Sequence, residues 1–290
     1  MNQDITLQND YLELVVCPYL GGGIKRFDKK VDGTKTAIFR RCETPSGQDM
    51  SVLDLGCFIT VPFFNRVDGA ISIDGVAYEL ERSLDIEKRP IHGNAFLQSF
   101  TVLEQTKSKI TMTLVSHDYN PFAYKCILSY ELVGSRLNME LAVTNLSSLT
   151  LPYGLGFHPY FHKTTTSQIG FCAQDMWLCD ESVLPTTSIP TATNPKYDYS
   201  TAKLVGNEFL DNSFEHWDGV ASIYENEQLL CRLEASSGLS LCHLFTPAGK
   251  DFFCFEAISH LTNEVNSGKG SYLSYLKEGE GAKARLVVSW

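Results

Sequence analysis

The segment Leu155-Gly156-Phe157-His158-Pro159-Tyr160-Phe161 sets a histidine among aromatic neighbours, in a stretch punctuated by glycine and proline. Neither a long helix nor an inner strand runs cleanly through such punctuation. A backbone so constrained suits a ring that must present one nitrogen accurately. Histidine is also the side chain that changes charge near neutral pH unaided, which makes it the default proton carrier. A second segment, Phe252-Phe253-Cys254-Phe255-Glu256-Ala257-Ile258-Ser259-His260, places a carboxylate inside an apolar run. Burial there raises its proton affinity and makes it a better base than an exposed glutamate. Each residue also has a plainer reading: His158 as a satisfied core histidine, Glu256 as the buried partner of an arginine.

Arg66, in Pro62-Phe63-Phe64-Asn65-Arg66-Val67-Asp68-Gly69, offers a fork of five donors suited to hydroxyl groups, or to a structural salt bridge. His92 precedes Gly93 and either reaches a ligand or caps a turn. Asp211, in Leu210-Asp211-Asn212-Ser213-Phe214, reads equally as an Asx-turn residue. His117, His162, His216, His243 and His260 are scattered, without the spacing of metal ligands, so no metal is expected. A glycine-rich phosphate loop is also missing, so no nucleotide cofactor is expected.

Taken in order, these segments resemble the aldose 1-epimerase family, the galactose mutarotases. Further matches are Pro18-Tyr19-Leu20-Gly21-Gly22, the run from Asn145 to Phe161, Trp177 to Pro185, and Trp217-Asp218-Gly219. The resemblance covers residues 5–290. It implies the large antiparallel β-sandwich of the galactose mutarotase-like fold and a cofactor-free reaction, opening a sugar hemiacetal and closing it on the other face. It makes His158 the acid and Glu256 the base. Asp211 then accepts from vicinal hydroxyls, Arg66 and His92 bind others, and Asn65 and Tyr160 are further contacts. Two positions depart from the family pattern: Ala257 stands where many members carry proline, and Phe96 near a common tryptophan. They bear on the rigidity of the Glu256 strand and on the stacking surface beside the sugar, not on proton transfer.

The expected substrate is a free hexose such as galactose or glucose. A hexose 6-phosphate or sulfonated sugar would need extra basic residues at the far end of the pocket. Arg40-Arg41 and Lys88-Arg89 are the candidates, and both pairs read as solvated surface charges. A sugar-binding protein without catalysis would not need an acid facing a base, and a glycosidase would need two carboxylates in defined roles.

The elements that must position these groups are strands. Lys109–Val115, Tyr124–Leu132 and Arg136–Thr144 alternate polar and apolar residues, the last two joined by Val133-Gly134-Ser135. Gly219–Glu225, Gln228–Ala235, Leu239–Thr246 and Ala284–Trp290 continue the pattern, with turns at Asn226-Glu227 and Ser236-Ser237-Gly238. Helical stripes longer than a few turns are absent, so the chain reads as an all-β sandwich, one domain over residues 1–290. Residues 185–207, rich in Thr, Pro, Ser and Asn, read as a surface excursion.

Twenty-four basic residues face thirty-four acidic ones, a net charge of −10 that argues against nucleic-acid partners. Met1-Asn2-Gln3-Asp4-Ile5 lacks the basic and apolar runs of a signal peptide, and no stretch suits a membrane helix. Nine cysteines, an odd number without a C-x-x-C, read as reduced buried thiols of a cytoplasmic protein. The partner is a small sugar, and oligomeric state is not legible.

Overall fold

Alternating apolar residues build the longest ribbons of the fold. Lys109–Tyr119, Phe122–Val133 and Arg136–Asn145 alternate buried and outward positions along their length and pair antiparallel. The turn between the last two is Gly134-Ser135, where Gly134 takes φ 56°. Asn226 and Glu227, both at positive φ, fold Val220–Glu225 onto Gln228–Ala235 in the same tight manner. Gly281–Ser289 then pairs with Arg136–Asn145 on one side and Gln228–Ala235 on the other. With Lys203–Leu204, Gln168–Phe171 and Thr101–Gln105 these strands complete a nine-stranded sheet. The computed structural model describes residues 3–45, 48–236 and 238–290. Met1, Asn2 and the Ser237 of the expected Ser236–Gly238 turn lie outside the described residues.

Among the described residues, the second sheet has eleven strands. Its central neighbours run in the order Gly23–Val31, Cys57–Thr60, Gly156–His162, Phe252–Ile258, Leu241–Thr246, Leu210–Glu215 and Asp175–Cys179. The two sheets pack face to face as an antiparallel sandwich. Phe157, Phe161, Phe253, Phe255 and Ala257 of this sheet share a core with Tyr124, Tyr130, Met139 and Leu286 of the other.

Strand geometry determines what the opposite face carries. Successive side chains point to opposite sides, so the residues between those core positions emerge together on the outer face. On Gly156–His162 these are His158 and Tyr160; on Phe252–Ile258, Cys254 and Glu256. Leu241–Thr246 contributes His243, and Leu210–Glu215 contributes Asp211 and Ser213. This face is covered as well, by a second apolar cluster around Phe58, Phe96, Tyr160 and Cys254. The central strands are therefore buried on both sides, and Gly156–His162 corrects the expectation that its glycine and proline bar an inner strand: the strand pairs on both sides, its register with Phe252–Ile258 passing over His158 and Pro159.

The expected excursion over 185–207 is corrected at its start. Pro185–Pro190 forms a strand on Asp175–Cys179 at the end of the sheet, where a proline costs no ladder hydrogen bond. All nine thiols are free; seven are buried, Cys179 is half-buried and Cys172 is exposed. Among the described residues no helix is long and apolar enough to cross a membrane.

Candidate active site

His158 and Glu256 come from adjacent strands, and the imidazole Nε2 lies 3.4 Å from the Glu256 Oε1. The histidine ring is stacked between Phe58 and Tyr160, with centroids 4.3 and 4.8 Å away, and His92 meets it edge-on at 5.1 Å. Burial, and then the nearby His243, pulls the His158 pKa down to about 3. Burial, reinforced by the Asp211 charge and opposed by Arg66, holds Glu256 well above the usual carboxylate range. Burial thus drives both groups toward their neutral forms, the state in which the pair's one shared proton is on Glu256. His158 Nδ1 and Glu256 Oε2 are buried without a hydrogen-bond partner among the described residues. Buried polar atoms left unpaired are uncommon and mark places where something else is meant to bind.

A polar network forms the adjoining wall. Arg66 donates from Nε to Glu87 Oε2 at 2.8 Å, and from Nη1 to Asn65 Oδ1 at 2.9 Å and Asp211 Oδ2 at 3.2 Å. Asp211 Oδ1 accepts from His243 Nε2 at 2.7 Å, and His243 Nδ1 meets Ser213 Oγ at 2.9 Å. Burial works to raise the Asp211 pKa, but the His243 bond and the Arg66 charge overrule it and keep the carboxylate ionised. His92 Nδ1 accepts the Asn65 N–H at 3.1 Å, and burial keeps the ring neutral. Its proton therefore sits on Nε2, leaving a donor. Arg66 is thus ion-paired, as its structural reading has it, and it lines the cavity, while His92 holds the Asn65 N–H and lines the cavity too. His260, 2% exposed, supports this wall from behind, accepting the Phe64 N–H at 2.8 Å and donating to the Leu261 carbonyl at 2.7 Å.

These groups line one cavity of about 560 Å³, a size suited to a small molecule. Its walls include all seven residues singled out from the sequence: Asn65, Arg66, His92, His158, Tyr160, Asp211 and Glu256. They also include His243, Glu87, Arg40 and Lys250, which sequence reasoning missed. His243 was one of several scattered histidines; only its register opposite Ser213 and Glu256 reveals it. Arg40 corrects the expectation of a solvated pair. It is half-buried and lines the cavity, whereas Arg41 pairs outside it with Asp28. Lys88 is exposed and Arg89 pairs with Asp68, as expected of surface charges.

Phe96 is likewise corrected. It is fully buried behind Phe58, its ring stacked at 5.3 Å, and does not line the cavity. Ala257 faces the other sheet. One grouping was not foreseen: donor atoms of His158, Cys254 and Glu256 lie within 4.8 Å of one another. Burial pushes the Cys254 thiol well up, which works against the thiolate that metal ligation needs.

The family model described as aldose 1-epimerase matches residues 3–289. The uncharacterized Escherichia coli K12 protein YphB is 26% identical over 286 residues, covering 93% of this chain and 98% of that one. A galactose mutarotase-like protein from Clostridium acetobutylicum superposes with a TM-score of 0.82 at 19% identity, covering 99% of this chain and 94% of that one. Galactose 1-epimerase from Lactobacillus acidophilus gives 0.77 at 18% identity, covering 99% and 93%. At these identities the structural likenesses show the shared fold.

Proposed function

We propose, from the premise that this chain belongs to the aldose 1-epimerase family, that it catalyses mutarotation of an aldose by acid–base ring opening. The observation that carries this reading is the buried His158–Glu256 pair, 3.4 Å apart, with unpartnered atoms on both members, in a cavity lined by Arg66, His92 and Asp211.

The ring oxygen and the anomeric hydroxyl share one carbon, so an acid and a base at contact distance can serve both. When a sugar fills the cavity, the pair's shared proton passes from Glu256 to His158. His158 then protonates the ring oxygen while Glu256 takes the anomeric proton, and the C1–O5 bond breaks to give the open-chain aldehyde. Rotation about C1–C2 and the reverse transfers close the ring on the other face, and the proton inventory is unchanged. Asp211, held ionised, accepts from sugar hydroxyls, while His92 Nε2 and Arg66 donate to others. Asn65 fixes the Arg66 fork, and Tyr160 supplies a flat wall against the His158 ring. Neither metal nor nucleotide enters these steps. Nine free thiols fit a reducing compartment, so the cytoplasm is the proposed location.

The test is polarimetry on freshly dissolved α-anomers, galactose and glucose first. A catalysed excess over the spontaneous rate is expected with at least one aldose. Tight sugar binding without any excess would favour a binding protein instead.

A further inference from the structure

We infer that the sugar taken by this cavity carries an anionic substituent, held by Arg40 and Lys250. This rests on the mutarotase reading and narrows its substrate class, replacing the neutral hexose expected from overall charge. Arg40 stacks over the Tyr160 ring at 4.2 Å and over Phe252 at 4.7 Å. Its Nη2 donates to the carbonyls of Leu53 and Leu55. The guanidinium is thus held in place by aromatic faces and backbone, and its Nε and Nη1 make no hydrogen bond among the described residues. It has no carboxylate at ion-pair distance among those residues either, whereas the site's other arginine, Arg66, has two. Lys250 lines the same cavity and has no carboxylate at ion-pair distance among the described residues. Asp54 and Glu87 share the lining, but Glu87 is engaged with Arg66 and Asp54 pairs with neither Arg40 nor Lys250.

The placement separates two jobs. Arg40 lies on the Tyr160 side of His158, and the hydroxyl-binding Asp211 and Arg66 sit with His92 and His243. A half-buried guanidinium without an anion is costly, and a cavity-facing one is satisfied by a ligand oxyanion. Carboxylate, phosphate and sulfonate each offer oxygens that accept from a free guanidinium N–H, here Nε or Nη1, in a charge-assisted bond. The shared chemistry is therefore an oxyanion on the sugar away from its anomeric carbon.

The experiment compares kcat/KM for anomer exchange, by NMR, of glucose, glucuronate, glucose 6-phosphate and 6-deoxy-6-sulfoglucose. At least one charged sugar is expected to exceed glucose on the order of tenfold or more, the scale of one charge-assisted contact; which one does so identifies the oxyanion. Arg40→Gln is expected to cut that charged-to-neutral ratio about tenfold, and Lys250→Gln by a smaller factor that vanishes in high salt. A purely structural Arg40 would lower both substrates together and leave the ratio intact, which would overturn the inference. So would equal or better turnover of glucose by the wild type. Should Arg40→Gln fail to fold, the exposed Lys250 variant and the wild-type comparison still decide. If no aldose is turned over at all, the ring-opening reading itself fails. Calorimetric binding of the same sugars then decides the charge, with no preference for the anionic ones counting against it.

Discussion

At the scale of single residues, two side chains carry the proposed chemistry, and each has a distinct signature. His158→Asn and Glu256→Gln are each expected to lower kcat on the order of 10²–10⁴-fold, the range of a lost proton transfer, with circular dichroism unchanged. Retention of more than about a tenth of wild-type turnover would remove that residue from its role. The pH profile is a second check. With one proton on the pair, kcat/KM falls in acid only when His158 takes up another proton, at about 3 rather than the ordinary 6.5. It falls in base when Glu256 loses its own, at a value raised well above 4.5. An inflection near 6.5 in the free protein would mean that His158 titrates as an ordinary histidine. That seven named residues line one cavity was legible because their types and flanking motifs are distinctive. Arg40 and His243 were not, because an arginine in a short basic pair and one histidine among several look alike whether they face water or a cavity.

At the scale of elements, turns and register decide where those side chains point. Gly93, next to His92, takes φ +68°, and a methyl group there would meet the Val61 carbonyl oxygen at 2.1 Å and Pro62 Cδ at 2.4 Å. Gly69 also takes a positive φ, +81°, but a methyl group there meets nothing within 4 Å. Gly93→Ala is expected to cost about 2–3 kcal/mol in a urea melt and to weaken activity by moving His92, while Gly69→Ala costs about 1 kcal/mol from backbone strain alone. Equal costs would show that the close approach at Gly93 is relieved by movement of the Val61–Pro62 backbone. The hairpins were readable because alternation and turn residues are local signals. Pairings such as Gly156–His162 with both Cys57–Thr60 and Phe252–Ile258 join residues about a hundred positions apart, and local pattern carries no register for them. The edge strand Pro185–Pro190 escaped notice because two prolines mark a loop unless the strand lies at a sheet's end.

At the scale of the whole molecule, the buried titratable groups tie stability to pH in a direction that can be worked out. Burial lowers the pKa of His92 and His158 and brings His260 to about 4. Between those values and about 6.5 the unfolded chain binds more protons than the folded one, so stability is lost as pH falls through this window. The consequence reaches the site, because a proton on His260 Nε2 removes the acceptor for the Phe64 N–H, next to Asn65 and Arg66. Glu256 acts in the opposite sense. Its raised pKa means that the folded state holds a proton the unfolded chain releases above about 4.5, so its contribution improves as pH falls. In the wild type the two trends offset in part. Glu256→Gln removes its share of the opposing trend, leaving that of Glu264, which burial also raises, and its urea midpoint should fall more steeply than the wild type's between about pH 7.5 and about 4.5. The comparison needs only equilibrium melts of the two proteins across that range. A variant midpoint that stays level with pH would show that the buried histidines are not held neutral by the fold.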